Sequence, residues 1–544
     1  MKNSPRQIAA LVLVSTVFFG AVVRAQNPDA IGVTLLRAVT TNLNGAGIRV
    51  AQPEAGAPAF EVNPTNVWVK QPVNLFTYIS SGGSTNNFPN YLGSESTHAD
   101  TVASNFYGLP GGVATNVAHV DNYDANYFIQ VSEIPAGLTT NYSASLSAAS
   151  DDSVVNQSFI FTDSDGGSVP TNEQQAIDSA YDDFAAQHNV LFISGAGNGS
   201  PARVCPPATC YNGIGVGAYI PPNNYSSSGP TLDNGRAKPD ITAPSSVTSF
   251  STPQVAGAAA LLMQAGVRGD GSGDTNSASD IRTIKSLLLN GAIKPNDWTN
   301  IAPSPFDTRY GAGVLNVFNS YKQLAGGKHG YIVSTTVSAG GAHPPTGAGG
   351  TIVALSGWDF NTNTSTSFPS AQDGVKHYYF NVTNSTGNAA FTATATLVWN
   401  RQQNETDINN LNLYLYNAAN SNLVAASTSA VDNVEHIFLP KLAQGRYDLQ
   451  VWMSASGISS FNNSETYALA WEFFSQSANI SKSGTNLNLS WPVYPDGFVV
   501  EATTNLVSAS WSTNNLPSPV VVNNQNVISL GATNGVQFFR LRRP

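Results

Sequence analysis

Between Val247 and Leu262 the chain reads VTSFSTPQVAGAAALL. Beyond the opening hydroxyls, Val, Ala, Gly, Leu and then Met263 fall on every side of a helical wheel. A helix without a polar face is stable only when other elements surround it. The stretch therefore demands a layered fold with a helix through its interior. Ser249, just ahead of this run, is then a hydroxyl aimed at something. Taken alone, it reads simply as a helix N-cap. Pro253 is expected in the first helical turn, where no intrahelical N–H bond is lost.

The surroundings supply the layers. From about 30 to 327, strand-like and helical runs alternate. GIRVAQPEAG, VVNQSFIF, VLFISGAGN and GIGVGAY read as strands and turns; HADTVASNFYG, NEQQAIDSAYDDFAAQHN and ASDIRTIKSLLLNGA read as helices. Alternation of this kind predicts an α/β fold, a mostly parallel sheet with helices on both faces and functional loops at the strand ends. After LAGGKHG the pattern changes to period-2 and aromatic strands such as HYYFNVT, FTATATLVWN and RYDLQVWM. These predict two all-β modules, a sandwich over 329–475 and a smaller unit over 476–544. Arg540, Arg542 and Arg543 in the final strand read as its solvated side.

Lys2 and Arg6 precede an apolar run, Ile8 to Val23, and Val23-Arg24-Ala25 stands where a signal peptidase would cut. Residues 1–25 are read as a signal peptide, leaving 26–328 for the α/β domain. The run is shorter than the ~20 residues of a spanning helix, and no other segment could cross a bilayer. With about 20 residues between Gln26 and the first strand, a folded propeptide is not expected. A net charge of −10 with only 11% charged residues argues against a nucleic-acid partner and suits an extracellular or cell-envelope protein. In an exported chain, the isolated pair Cys205 and Cys210 reads as a small disulfide loop. Acidic residues are scattered without a ligand loop of recognisable spacing. No metal site or cofactor is expected, and a structural calcium has no motif behind it.

A nucleophilic serine needs a base, a carboxylate to orient the base, and oxyanion donors. Three histidines precede the last helices of the α/β unit. His119 lies in a strand and reads as structural. His188 ends a helix, where a cation suits the dipole. His98 starts a helix, and by itself reads as a surface helix-start residue before it reads as a base.

Order and surroundings bring these residues together. The segment RAKPDITAP…VTSFSTPQVAGAAALL resembles the KPDI-APG and GTSMATPHVAGAAALL motifs of the subtilisin-like (subtilase) serine proteases. FISGAGNGS resembles their AAGN, VVNQSFIF their VINMSLG, HADTVAS their HGTHVAG, GIRVAQPEAG their VKVAVIDTG, and RYGAGVLN their YGAGVVN. The resemblance covers about 30–325 and keeps the family's order. It implies Ser249 as nucleophile, His98 as base, Glu54 as orienting carboxylate and Asn198 as oxyanion donor. It also implies Ser158 and Gly195 in the substrate cleft, and a protein or peptide as substrate.

The chain departs from the family in four ways. Glu54 stands where Asp is usual, Val247 replaces the Gly before Thr-Ser, the segment between KPDITAP and the serine is short, and the second His of HGTH is absent. These departures leave a second reading, a catalytically degenerate domain kept as a binding or surface module. An esterase is disfavoured, because Thr-Ser-Phe-Ser-Thr is not a Gly-x-Ser-x-Gly elbow. The β modules could contact substrate, carbohydrate or a cell surface, and sequence does not choose among these.

Overall fold

The computed structural model describes residues 28–127, 153–163, 165–199, 202–331, 354–364, 375–383, 391–402, 408–453, 464–475, 478–493, 497–507, 510–522, 525–531 and 535–542. The stretch read as a signal peptide lies outside them. None of the described helices is long and apolar enough to cross a membrane.

The first unit carries strands β1 (Arg49–Ala51), β2 (Ala59–Glu61), β3 (Phe76–Ile79), β4 (Thr85–Asn87), β5 (Ser94–Glu95), β6 (His119–Tyr123), β7 (Val154–Gln157), β8 (Leu191–Gly195), β9 (Ile214–Ile220), β10 (Asn223–Asn224) and β11 (Ile241–Ala243). Its helices are α1 (Val33–Val39), α2 (Thr97–Phe106), α3 (Thr171–His188), α4 (Thr248–Arg268), α5 (Thr275–Ala278), α6 (Ile281–Asn290) and α7 (Val317–Ala325). Apart from β2 and β5, which pair with each other, the strands form one nine-stranded sheet. Its order is β10-β9-β8-β7-β1-β6-β3-β4, with β11 also beside β9. The pairings among β3, β6, β1, β7, β8, β9 and β11 are all parallel; only β4 and β10 run against their neighbours. This is the predicted mostly parallel α/β fold. Strands such as LFISG and IGVGAY are buried along nearly their whole length, as a sheet covered on both faces requires. From β1 the chain runs out to β3 and β4, returns to β6 between β3 and β1, then crosses to β7 on the other side of β1. Such a reversal opens a crevice at the carboxyl ends of the adjoining strands.

Helix α4 is the buried helix anticipated above, with nearly every residue from Ser251 to Gly266 enclosed. It packs against α2, β7, β8 and β9. Gly257 permits the closest approach: a Cβ there would lie 2.5 Å from Cβ of Val113. One expectation is corrected. The helix starts at Thr248, so Pro253 sits in its second turn. There it removes the N–H that would have bonded the carbonyl of Ser249.

The next eight strands form two antiparallel sheets. One has the order β12 (Ser356–Thr364), β19 (Ser464–Phe474), β14 (Phe391–Trp399), β17 (Val434–Leu442). The other runs β13 (Val375–Val382), β18 (Gly445–Met453), β15 (Leu411–Asn417), β16 (Leu423–Ser427). Tyr378, Phe380, Leu397, Trp399, Leu413, Leu449 and Trp471 share one core between them. The first of these sheets is closely joined to the α/β unit. Trp358, Val398, Val434 and Ala470 belong to the same apolar cluster as Leu287 and Leu288 of α6. Asn290 Oδ1 accepts from both Thr394 and Thr396, at 2.9 and 3.0 Å. Asn212 bonds both the carbonyl and the N–H of Arg401. The sequence pattern suggested separable appendages; their apolar and hydrogen-bonded joint is one that only the three-dimensional arrangement reveals. The last strands form a four-stranded and a two-stranded sheet around Leu489, Trp491, Val500 and Ile528. There Arg540 and Arg542 bond Glu501 across the strand pair rather than simply facing solvent.

Candidate active site

Glu54 follows β1. Its backbone is held in register, its N–H bonding Tyr123 O at 2.9 Å and its carbonyl accepting from Ala125 N at 2.8 Å. The side chain is buried, and Oε2 lies 2.7 Å from Nδ1 of His98. A carboxylate only accepts, so Nδ1 carries the proton and Nε2 is left as the basic nitrogen. His98 occupies the first turn of α2, whose N-cap Ser96 accepts from Ala99 N. Burial disfavours the imidazolium, but the charge of Glu54 and its hydrogen bond outweigh this. The His98 pKa is held above its ordinary value of 6.5.

The imidazole faces the start of α4, its ring centroid 6.0 Å from that of Phe250. Ser249 lies one residue earlier, half-buried, in the first turn of the helix. Among the described residues no hydrogen bond joins His98 to the Ser249 hydroxyl. In a resting site such bonds are commonly long and tighten when substrate docks. Asn198, just after β8, accepts at Oδ1 from the N–H of Thr248 (2.7 Å) and from its hydroxyl (2.9 Å). A backbone N–H can only donate. This fixes the amide orientation and leaves Nδ2 as a donor beside the helix N-terminus. No acceptor engages the Ser249 N–H among the described residues. The Asn198 amide and the Ser249 N–H thus both lie at the positive end of α4, where an anion would be favoured. If Asn198 serves a developing oxyanion, Asn198→Ala is expected to lower kcat by ~10²–10³ with KM little changed. Steady-state kinetics on a peptide would check this; a variant altered mainly in KM would make Asn198 a substrate-binding residue instead.

Ser158, past the end of β7, donates from Oγ to the carbonyl of Ser249 at 2.9 Å. This is the carbonyl that Pro253 deprives of its helical donor, so Ser158 supplies the missing bond. Its hydroxyl holds Ser249 in place, a task beyond the substrate contact expected of this half-buried residue. Gly195 is also differently placed. It is buried beneath the first turn of α4, where a Cβ would stand 3.2 Å from the hydroxyls of Thr248 and Thr252. Glycine there leaves room for the helix to seat closely on the sheet, and the residue is buried. Val247 has φ −145° and ψ 145°. This is ordinary extended backbone, so Val replaces Gly there without strain.

The other candidate groups lie elsewhere. Asp100 points away from His98, accepting from Asn63 N and Asn66 Nδ2, both at 2.7 Å. Burial, with Glu95 alongside, pushes its pKa up to about 7. Asp121 pairs with Arg49 at 2.6 Å. His119 bonds the Thr77 hydroxyl. His188 packs on the Phe184 ring, centroids 4.3 Å apart. Burial lowers its pKa, so the charge expected to complement the helix end is disfavoured. The expected disulfide is absent. Cys205 and Cys210 are separate buried thiols. Cys205 turns its sulfur to the carbonyl of Arg203. Cys210 instead enters the α/β core, where its sulfur would lie 2.6 Å from a Cβ added at Gly213. Burial pushes the Cys205 thiol up to about 11.

Residues 93–313 match the profile of the subtilase family (Peptidase_S8). Glu54 precedes the matched stretch. Among solved structures, the chain is similar to the prenylagaramide maturation protease PagA, at 22% identity over 54% of this chain and 98% of that one, with a TM-score of 0.37. It is similar to the PatG macrocyclase in complex with peptide at 18% identity over 55% and 98%, TM-score 0.39. To tripeptidyl peptidase 2 it is similar at 14% identity over 82% and 47%, TM-score 0.33.

Proposed function

Given that residues 93–313 form a domain of the subtilase family, we propose that the chain is an exported serine endopeptidase working through Ser249, His98 and Glu54. The observation that carries the reading is the 2.7 Å Glu54–His98 bond set against the N-terminus of α4, where Thr248 orients Asn198. Ser249 Oγ attacks the peptide carbonyl, and His98 Nε2 takes its proton. Nδ2 of Asn198 and the Ser249 N–H hold the oxyanion. His98 then returns the proton to the leaving amine, and water hydrolyses the acyl-enzyme by the same steps. Glu54 keeps the imidazole in the Nδ1–H tautomer and stabilises the imidazolium.

The base works only when neutral. With its pKa raised above 6.5, His98 should become competent as pH rises through that higher value. Peptide hydrolysis is therefore expected to show an acid limb in kcat/KM above pH 6.5, measured on the full chain with a chromogenic peptide. A limb at or below 6.5 would mean that Glu54 does not support the base. Export rests on Lys2, Arg6 and the Ile8–Val23 run; N-terminal sequencing of the mature protein should begin at Gln26, and a retained Met1 would refute processing.

A further inference from the structure

Gln52 and Glu54 are two residues apart on an extended segment, so their side chains leave the same side of the backbone. Gln52 is fully buried and uses both ends of its amide. Nε2 donates to Glu54 Oε1 at 2.8 Å and to the carbonyl of Ala99 at 3.0 Å. Oε1 accepts from the Tyr107 hydroxyl at 2.5 Å. The orientation is unambiguous, because the Ala99 carbonyl can only accept. Ala99 follows His98 in the first turn of α2, and Tyr107 is the C-cap of the same helix. Helical side chains lean toward the N-terminus, which lets Tyr107 reach back to Gln52. One buried amide therefore touches the carboxylate, the turn that carries the histidine and the far end of that helix. Tyr107 is enclosed, and burial first, then nearby carboxylates, keeps its phenol protonated and able to donate.

A glutamate needs such a fixture more than an aspartate would. Its carboxylate turns about one more torsion, and a free Glu would spend much of its time off the imidazole. We propose that Gln52 and Tyr107 are positioning residues that lock the Glu54 carboxylate to the helix bearing His98. This rests on the catalytic reading of Ser249, His98 and Glu54 given above. Gln52 does not touch the reacting atoms; it acts through Glu54, and Tyr107 acts through Gln52.

The test uses the full chain in four forms: parent, Gln52→Met, Tyr107→Phe and the double variant. The readouts are the fluorophosphonate labelling rate at Ser249, kcat and KM on a peptide, and the melting temperature. Gln52→Met is expected to slow labelling and kcat by ~10²-fold, the scale of a misplacement near 1 Å, with KM little changed. Tyr107→Phe removes one hydrogen bond and should cost roughly threefold to tenfold in the same quantities. In the Gln52→Met background the Tyr107→Phe change should have no further effect, because its route is already cut. Full multiplication of the two effects, or variants that move only the melting temperature, would overturn the proposal. If Gln52→Met does not fold, Tyr107→Phe alone decides: parental kcat and labelling in that variant overturn it. A parent that fails to label would instead defeat the catalytic reading. A parent that labels at Ser249 while both variants keep its rate would defeat this inference alone.

Discussion

Ser249→Ala is expected to lower kcat on the order of 10⁶-fold, the scale that loss of the triad serine has in subtilisin. The hydroxyl sits in the first turn of α4, and its backbone is held by Ser158 Oγ on the carbonyl. Removing one oxygen leaves the helix, Asn198 and the Glu54–His98 pair in place. The loss should therefore fall on chemistry, with melting temperature and peptide affinity near those of the parent. Active-site titration alongside steady-state kinetics would measure it. Activity within tenfold of the parent would mean that another group is the nucleophile.

Glu54→Gln is the second large effect, on the order of 10⁴-fold in kcat near neutral pH. An amide placed 2.7 Å from His98 Nδ1 can donate to that nitrogen, which stabilises the opposite tautomer and puts the proton on Nε2. The acid limb of whatever activity remains should move down, because the charge that raises the His98 pKa is gone. Glu54→Asp should also lose activity. The backbone is pinned by Tyr123 and Ala125, so the shorter side chain withdraws the carboxylate by about 1.5 Å, the length of one carbon–carbon bond. Parental activity in Glu54→Asp would show that the turn moves to follow its side chain. Full activity in Glu54→Gln would remove Glu54 from the mechanism.

Much of this site could be read from the sequence because its parts are local. A helix apolar on every side must be buried, and α4 is; the alternation of strands and helices predicts the parallel sheet, and β1, β7, β8, β9 and β11 supply it. Glu54, His98, Asn198 and Ser249 stand in short motifs at element ends, and their resemblance to the subtilase motifs, in that family's order, is what singled them out. What the sequence hid depends on contacts across the chain. The bond from Ser158 to the Ser249 carbonyl makes sense only once Pro253, 95 positions later by their numbers, is found in the second turn of α4 rather than the first. Gly195 reads as a cleft residue until Thr248 and Thr252 are seen packed against it. The cysteines are close in sequence, yet one faces the core and the other a carbonyl beside it. Gln52 did leave a trace: a polar residue two positions before a buried carboxylate shares its side of the strand. Its partners, Ala99 and Tyr107, are far along the chain and become visible only in three dimensions.

The direct test of the central claim is covalent labelling of the folded full chain with a fluorophosphonate, followed by peptide mapping of the adduct. Phosphonylation should occur at a single residue, Ser249, and should vanish in His98→Ala while the fold is retained. An adduct on any other serine would reassign the nucleophile. A folded parent that takes up no label would contradict the account and leave a subtilase-family domain without catalytic chemistry.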